Sequence, residues 1–279
     1  MKLPTVSVIG LGCIGGSFAK AITPNGGGFT TGWSTSAEDS AMARAADIDA
    51  PECTLAESLV DARLVIIAVP VQAIAEVAAI AVRAAPADAA IIHCGGVQSR
   101  TALGLDEATY DRVIGAHPLA GSHESGFAAS RADLFAGCTV SIESRASEDV
   151  RGWMKWLWPL VGATRLEYRM AEEHDAMMAW VSHLPQLAST ALAATFAAEH
   201  IDPDSVGPGA RDTTRLAASS FEQWSSLVKA QPMVLTAALG KLEHSIASIR
   251  EALARGDERA LRKLWDSARE WRRAAEPPT

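Results

Sequence analysis

Short β-branched runs alternate with Ala-rich stretches of helical period along the first 169 residues. That alternation predicts a largely parallel sheet covered by helices. Residues 6–9 read as the first strand, 14–22 as a helix, 29–33 as a second strand and 37–46 as a second helix. The run Pro24-Asn25-Gly26-Gly27-Gly28 stops the first helix with residues that cannot extend one. Leu64-Val65-Ile66-Ile67-Ala68-Val69 is apolar without alternation and is halted by Pro70, which predicts a central strand buried on both faces. Further strands are predicted at 89–93, 112–116, 139–143 and 164–168, with a Trp-rich amphipathic helix over 151–160.

After Arg169 the β-branched runs vanish and apolar residues recur at helical spacing through Trp271. The expected division is an α/β domain over 1–169 and an all-α domain over 170–279. Stretches 171–200 and 233–255 are too apolar for lone surface helices, so they are expected to pack on each other and on a second copy of the chain.

Composition narrows the class. With 48% apolar and 21% charged residues the chain can bury a large core, which excludes a disordered protein. A net charge of −8 argues against nucleic acid as a partner. Cys13, Cys53, Cys94 and Cys138 form no C-x-x-C pair, which fits neither a zinc site nor a disulfide framework and suggests a reducing compartment. The histidines fit no metal-ligand spacing either, so no metal is expected. Neither a leader peptide nor an apolar run of about 20 residues is evident, so a cytoplasmic protein without a membrane span is expected.

Gly10-Leu11-Gly12-Cys13-Ile14-Gly15 follows the first strand and opens a helix. In that context the first glycine permits a tight turn, the second lets a pyrophosphate approach the backbone, and the third permits close helix–strand packing. The second strand then ends in Gly32-Trp33-Ser34-Thr35-Ser36, without the acid that normally binds the adenosine ribose of NAD. Three hydroxyls and no repelling carboxylate favour NADP, although no arginine stands nearby; NAD is the alternative. Ser34, Thr35 and Ser36 also read as ordinary turn and helix-cap residues.

His117-Pro118-Leu119-Ala120-Gly121-Ser122 lies at the C-terminal edge of a predicted strand, where open α/β sheets place ligands and a histidine can accept a proton near neutral pH. Polar groups interrupt apolar helical surroundings at His174-Asp175 and at Ser182-His183-Leu184-Pro185-Gln186. Asp212 and Arg215 share one helical face.

The chain resembles the prephenate and arogenate dehydrogenase family. The matching pieces, in one order, are Gly10 to Ser17, Ala68-Val69-Pro70, His117 to Ser122 followed by Gly126 and Leu134-Phe135, His174-Asp175, Ser182 to Pro185, Arg211 to Arg215, and Trp224. The resemblance implies a Rossmann-type N-terminal domain, a helical C-terminal dimerisation domain, and oxidative decarboxylation of a small-molecule cyclohexadienol by a homodimer. Carried over by position, His117 is the base on the 4-hydroxyl and Arg215 anchors a substrate carboxylate. Ser122, His123, His183, Gln186 and Asp212 belong to the substrate pocket. Gly10, Gly12, Cys13, Ile14, Gly15, Ser34, Thr35, Ser36, Val69, Pro70 and Gly95 belong to the cofactor side. Trp224 reads as core.

Departures from the family pattern gather around the substrate. Gly96 and Gln98 stand where many members have serine and lysine, His123 where an acid is common, and Gln186 where prephenate-using members carry a second histidine. Prephenate, arogenate and a 4-amino-4-deoxy analogue therefore stay open as substrates. The rival classes are a hydroxy- or imino-acid dehydrogenase and a non-catalytic NADP-binding regulator.

Overall fold

The computed structural model describes residues 5–121 and 124–275. Within them the chain forms two compact units that divide between Gln231 and Pro232.

In the first unit seven strands form one sheet: β1 (Thr5–Ile9), β2 (Phe29–Trp33), β3 (Leu64–Ile67), β4 (Ala90–His93), β5 (Val113–Pro118), β6 (Thr139–Glu143) and β7 (Arg165–Arg169). Their order is β2-β1-β3-β4-β5-β6-β7. β1 to β5 are parallel, β6 runs antiparallel to β5, and β7 is parallel to β6. The helices α1 (Cys13–Ile22), α2 (Ala37–Ala45), α3 (Val71–Ala84), α4 (Arg100–Leu103), α5 (Glu107–Arg112) and α6 (Glu148–Leu160) alternate with the strands.

Strand residues sort by parity into two cores, as the two-residue period of a strand requires. Val6, Val8, Leu64 and Ile66 face Phe18 and Ile22 of α1 and Met154, Leu157 and Trp158 of α6. Ile9, Val65, Ile67 and Ile91 face Ile74, Ala78 and Ala81 of α3. Both faces of β3 are buried, which is why its sequence lacks alternation. Rings of Phe18, Phe135 and Trp158 close the first core with centroid distances of 4.4, 5.2 and 5.8 Å.

Past Arg169 the described residues are helical: α7 (Ala171–Met178), a π turn (Ala179–His183), α8 (Leu184–Ala198), α9 (Pro208–Thr214), a 3-10 turn (Arg215–Ala218) and α10 (Phe221–Ala230). The helical stretch 171–200 is thus built of two α-helices joined by a π turn. Pro185 enters the next helical turn without an N–H, and its ring would clash with the carbonyl of Val181 in a regular α-helix. The chain widens instead, and Leu184 N–H bonds the carbonyl of Ala179 five residues back. Leu227 and Ala230 of α10 pack against the core beneath α3.

The second unit is a helical hairpin of α11 (Pro232–Arg255) and α12 (Glu258–Ala274). Gly256 takes φ +63° in the turn, and the Asp257 carboxylate accepts the Ala260 N–H to start α12. Ile246, Leu253, Trp265 and Trp271 are exposed on it. No helix among the described residues is long and apolar enough to cross a membrane.

Candidate active site

The strand order reverses at β1, so the C-terminal ends of β1 and β3 open a crevice into which the glycine turn projects. Gly10 takes φ +91°, and a Cβ there would stand 2.5 Å from the Ala68 carbonyl oxygen. A Cβ on Gly15 would stand 1.8 Å from the Gly10 oxygen, so α1 lies against the turn more closely than any side chain permits. Gly12 differs: a Cβ there meets nothing within 4 Å. No side chain caps α1 and no acid stands in its first turn. An uncapped helix N-terminus facing open space above a glycine fits a dinucleotide pyrophosphate.

The side chains of Cys13 and Ile14 face away from that space. Cys13 Sγ donates to the Ala129 carbonyl at 3.4 Å, and Ile14 packs on the first core, so only their backbone is left to the cofactor side. Val69 packs over Gly10, Pro70 precedes α3, and Gly95 N–H donates to His93 Nδ1 at 3.3 Å. Ser34 and Ser36 do act as turn and cap residues. Ser34 Oγ accepts the Ser36 N–H and Ser36 Oγ accepts the Asp39 N–H, both at 3.1 Å, while Thr35 is exposed.

Across the same sheet edge His117 stands near the end of β5, opposite Ser141 of β6. His117 Nδ1 lies 3.1 Å from His174 Nε2, and His174 Nδ1 lies 2.8 Å from Asp175 Oδ1. The Asp175 carboxylate also accepts the Gln98 N–H at 2.8 Å and the Ser99 N–H at 2.9 Å. The loop after β4 is thereby tied to α7, and Gln98 is held further by donation from its amide to the Ser141 carbonyl at 2.9 Å.

His174 is fully buried and Asp175 nearly so, whereas His117 is half-buried. Burial, then the neighbouring His174, His93 and His183, pushes the His117 pKa down to about 3, against the opposing pull of Asp175. Burial likewise lowers His93 and His183 to about 4. Burial pushes the Asp175 carboxyl up, but the His174 bond and the two backbone amides outweigh it and hold the group below the ordinary aspartate value. The result is a cluster of imidazoles around one carboxylate, with His93, His117 and His183 held neutral.

The π turn carries His183 inward to 1% exposure, where its ring meets Trp224 edge-on at 6.0 Å. One turn further, Gln186 is buried, and its amide donates to the Leu216 carbonyl at 2.9 Å. Ser189 Oγ accepts the Ala217 N–H at 3.2 Å. Gln186 thus grips the turn that begins at Arg215. Arg215 and Asp212 are themselves exposed, on the segment α8 holds. Ser122 and His123 lie outside the described residues.

Gly96 borders His117: a Cβ there would sit 3.7 Å from His117 Nε2 and 3.6 Å from Leu227 Cδ1. His93, His174, Asp175 and Ser99 were not assigned site roles from sequence. The available signal was the polar pair His174-Asp175 in an apolar helix.

Models of the prephenate dehydrogenase nucleotide-binding domain and dimerization domain match residues 18–151 and 170–266. The chain belongs to the prephenate dehydrogenase family. Its relatives include the prephenate dehydrogenase of Lactococcus lactis, 26% identical over 97% of this chain and 77% of that protein. The cyclohexadienyl dehydrogenase of Zymomonas mobilis is 28% identical, covering 90% of this chain and 89% of the other. Among solved structures, prephenate dehydrogenase from A. aeolicus in complex with hydroxyphenyl propionate and NAD+ superposes with TM-score 0.87 at 26% identity, covering 99% of both chains. The family is one of oxidoreductases, and the glycine turn and histidine cluster occupy one sheet edge of this member.

Proposed function

We propose that this protein catalyses oxidative decarboxylation of a cyclohexadienol, arogenate or prephenate, giving tyrosine or 4-hydroxyphenylpyruvate. The observation that carries the reading is His117, a partly open, neutral imidazole at the same sheet edge as a glycine turn that fits a dinucleotide. The family relatives named above support it.

When bound, an oxidised nicotinamide supplies the acceptor for the hydride of ring C4. The α1 N-terminus and the glycine turn would hold its pyrophosphate. His117 holds the 4-hydroxyl proton while the ring carboxylate departs as CO₂, and returns it to the oxygen once the ring is aromatic. The substrate thus loses H⁻ and CO₂ with no net proton change. Arg215 would bind a substrate carboxylate, and Ser122, His123, His183 and Asp212 would line the pocket.

NADP is the preferred cofactor in this reading, with NAD the alternative. Ser34 and Ser36 use their oxygens as acceptors and keep a hydrogen each for a 2′-phosphate. Residues 1–169 bind dinucleotide, and 170–279 bind substrate and pair two copies as a homodimer. Exposed Trp180, Val181, Leu192 and Phe221 support the pairing. Four unpaired cysteines favour the cytoplasm.

A second reading, the 4-amino-4-deoxy analogue, is favoured by Gly96, which leaves space beside His117 Nε2. Reduction of NADP+ and NAD+ followed spectrophotometrically with prephenate, arogenate and the amino analogue tests all of this. Turnover of a cyclohexadienol with release of CO₂ is expected; binding of dinucleotide without turnover of any of the three would overturn it.

A further inference from the structure

We infer that His174 and Asp175 are positioning residues that fix the tautomer of His117 through a His117–His174–Asp175 chain, leaving the lone pair on the substrate-facing Nε2. The inference rests on the assignment of His117 as base under Proposed function, but its geometry stands apart from the identity of the substrate.

The direction of each bond follows from Asp175. An ionised carboxylate only accepts hydrogen bonds, and this one takes two backbone N–H groups besides His174. His174 Nδ1 therefore carries a hydrogen, and the inferred chain makes this the ring's one hydrogen, so that Nε2 keeps its lone pair. The partner of that lone pair, His117 Nδ1, must then be the donor. A neutral His117 has one hydrogen, so its Nε2, the atom beside Gly96, is bare. Backbone amides cannot be titrated or rotated away, so the polarity of the whole chain is set by the loop after β4. The same chain gives a borrowed proton somewhere to lean: as His117 Nε2 takes it up, the Nδ1 hydrogen shifts toward His174, whose own charge is balanced by Asp175, and the shift reverses when the proton returns to oxygen. The groups facing His117 are His93 from β4, His174 and Asp175 from α7 and His183 from the π turn, and His117 pKa lies well below its ordinary value. None of them supplies a competing acceptor for Nδ1 among the described hydrogen bonds.

The test has two arms on the full-length protein. Nitrogen NMR of histidine-labelled protein without substrate, with the His117 signals assigned by their loss in His117→Asn, is expected to show Nδ1–H and a bare Nε2. Asp175 Oδ1 takes the Gln98 N–H and His174 Nδ1, and Oδ2 takes the Ser99 N–H. Asparagine with its oxygen at the Oδ1 position would keep the polarity of the chain, so the variant that tests it is Asp175→Ala, which removes the acceptor of the His174 Nδ1 hydrogen. Both histidines are then free to change tautomer, and an Nε2–H population of His117 should appear. The expected cost in kcat is on the order of 10³- to 10⁴-fold, the scale of a wrong tautomer in a catalytic histidine, with dinucleotide affinity unchanged. His174→Gln preserves the polarity, because its oxygen accepts from His117 and its nitrogen donates to Asp175. It should be at least tenfold more active than Asp175→Ala. Nε2–H on His117 in the unaltered protein, Asp175→Ala turnover within threefold of it, or equal loss in both variants would overturn the inference. If Asp175→Ala does not fold, the spectrum of the unaltered protein and the His174→Gln rate decide. Absence of any turnover by the unaltered protein sinks the proposed function and leaves the spectrum as the judge of the chain.

Discussion

The glycine turn after β1 and the histidine cluster at the end of β5 share a sheet edge but are built by opposite means. The turn works through missing side chains: Gly10 and Gly15 bring backbone so close that a single carbon would collide, and Gly12 leaves space. The cluster works through side chains packed away from water, with His174 at 0% and His183 at 1% exposure. The first is carried by six consecutive residues laid against Ala68 and Val69 after β3. The second gathers β4, β5, α7 and the π turn. A local device tolerates change elsewhere, while an assembled one fails when any contributing segment shifts.

The largest effect should come from the assembled side. His117→Asn removes the base while keeping a polar group of similar reach, so kcat should fall about 10²- to 10⁴-fold with substrate KM little changed. Steady-state kinetics with the best cyclohexadienol checks this, and turnover near the unaltered rate would show that another group holds the hydroxyl proton.

On the turn side two variants separate packing from binding. Gly15→Ala forces a carbon to 1.8 Å from the Gly10 oxygen, and a loss of about 3 kcal/mol or more of stability is expected. Gly12→Ala meets no protein atom within 4 Å, so stability should move by less than about 1 kcal/mol. Its dinucleotide affinity should nevertheless drop about tenfold or more, because the new methyl occupies the pyrophosphate's approach. Denaturant melts paired with fluorescence titration of NADPH and NADH read both quantities. Equal behaviour of the two variants would contradict the division of roles.

Acid should unsettle the cluster before the turn. His93 and His183 have folded pKa values near 4 against 6.5 for the ordinary side chain. Between those values the unfolded chain binds the protons that the folded one refuses, so stability is full above pH 6.5 and declines as pH falls toward 4. The slope is about 1.4 kcal/mol per pH unit for each histidine. Melting temperatures should therefore hold from pH 7.5 to about 6.5 and fall steadily from there to 4.5, and the decline should be shallower in His93→Phe. A flat profile in the unaltered protein would mean that these rings are hydrated.

This contrast also explains what the sequence reveals. β2 and β6 coincide with the runs at 29–33 and 139–143, because strand composition and flanking turns are local signals. β3 stops at Ile67 rather than Val69, since Ala68 and Val69 bend over Gly10. β5 extends to Pro118 because antiparallel β6 pairs with Ala116 to Pro118, and strand direction leaves no mark on an apolar run. The polar pair His174-Asp175 stands out in its helix, but its partners Gln98 and Ser99 are far away in sequence and contribute backbone N–H groups that every residue possesses. The glycine turn was legible as a site because its function is its sequence. The cluster was legible only as isolated oddities.

Gln186 offers the finest test of the comparison. By resemblance it sits where a second histidine contacts substrate, yet its amide is spent on the Leu216 carbonyl, one residue past Arg215. Its effect on substrate should therefore pass through the Arg215 turn. Gln186→Leu keeps the volume and removes the hydrogen bond to Leu216, with a typical net worth of about 1 kcal/mol, together with a longer one to Thr190 Oγ1 at 3.4 Å. If that energy serves to hold Arg215 in place for the carboxylate, KM should rise roughly fivefold while kcat stays nearly constant, the pattern of lost uniform binding. A second change, Arg215→Lys, should shrink that penalty in the double variant, because two residues acting through one contact are not additive. Full additivity, or a fall in kcat with KM unmoved, would instead place the Gln186 side chain against the reacting ring.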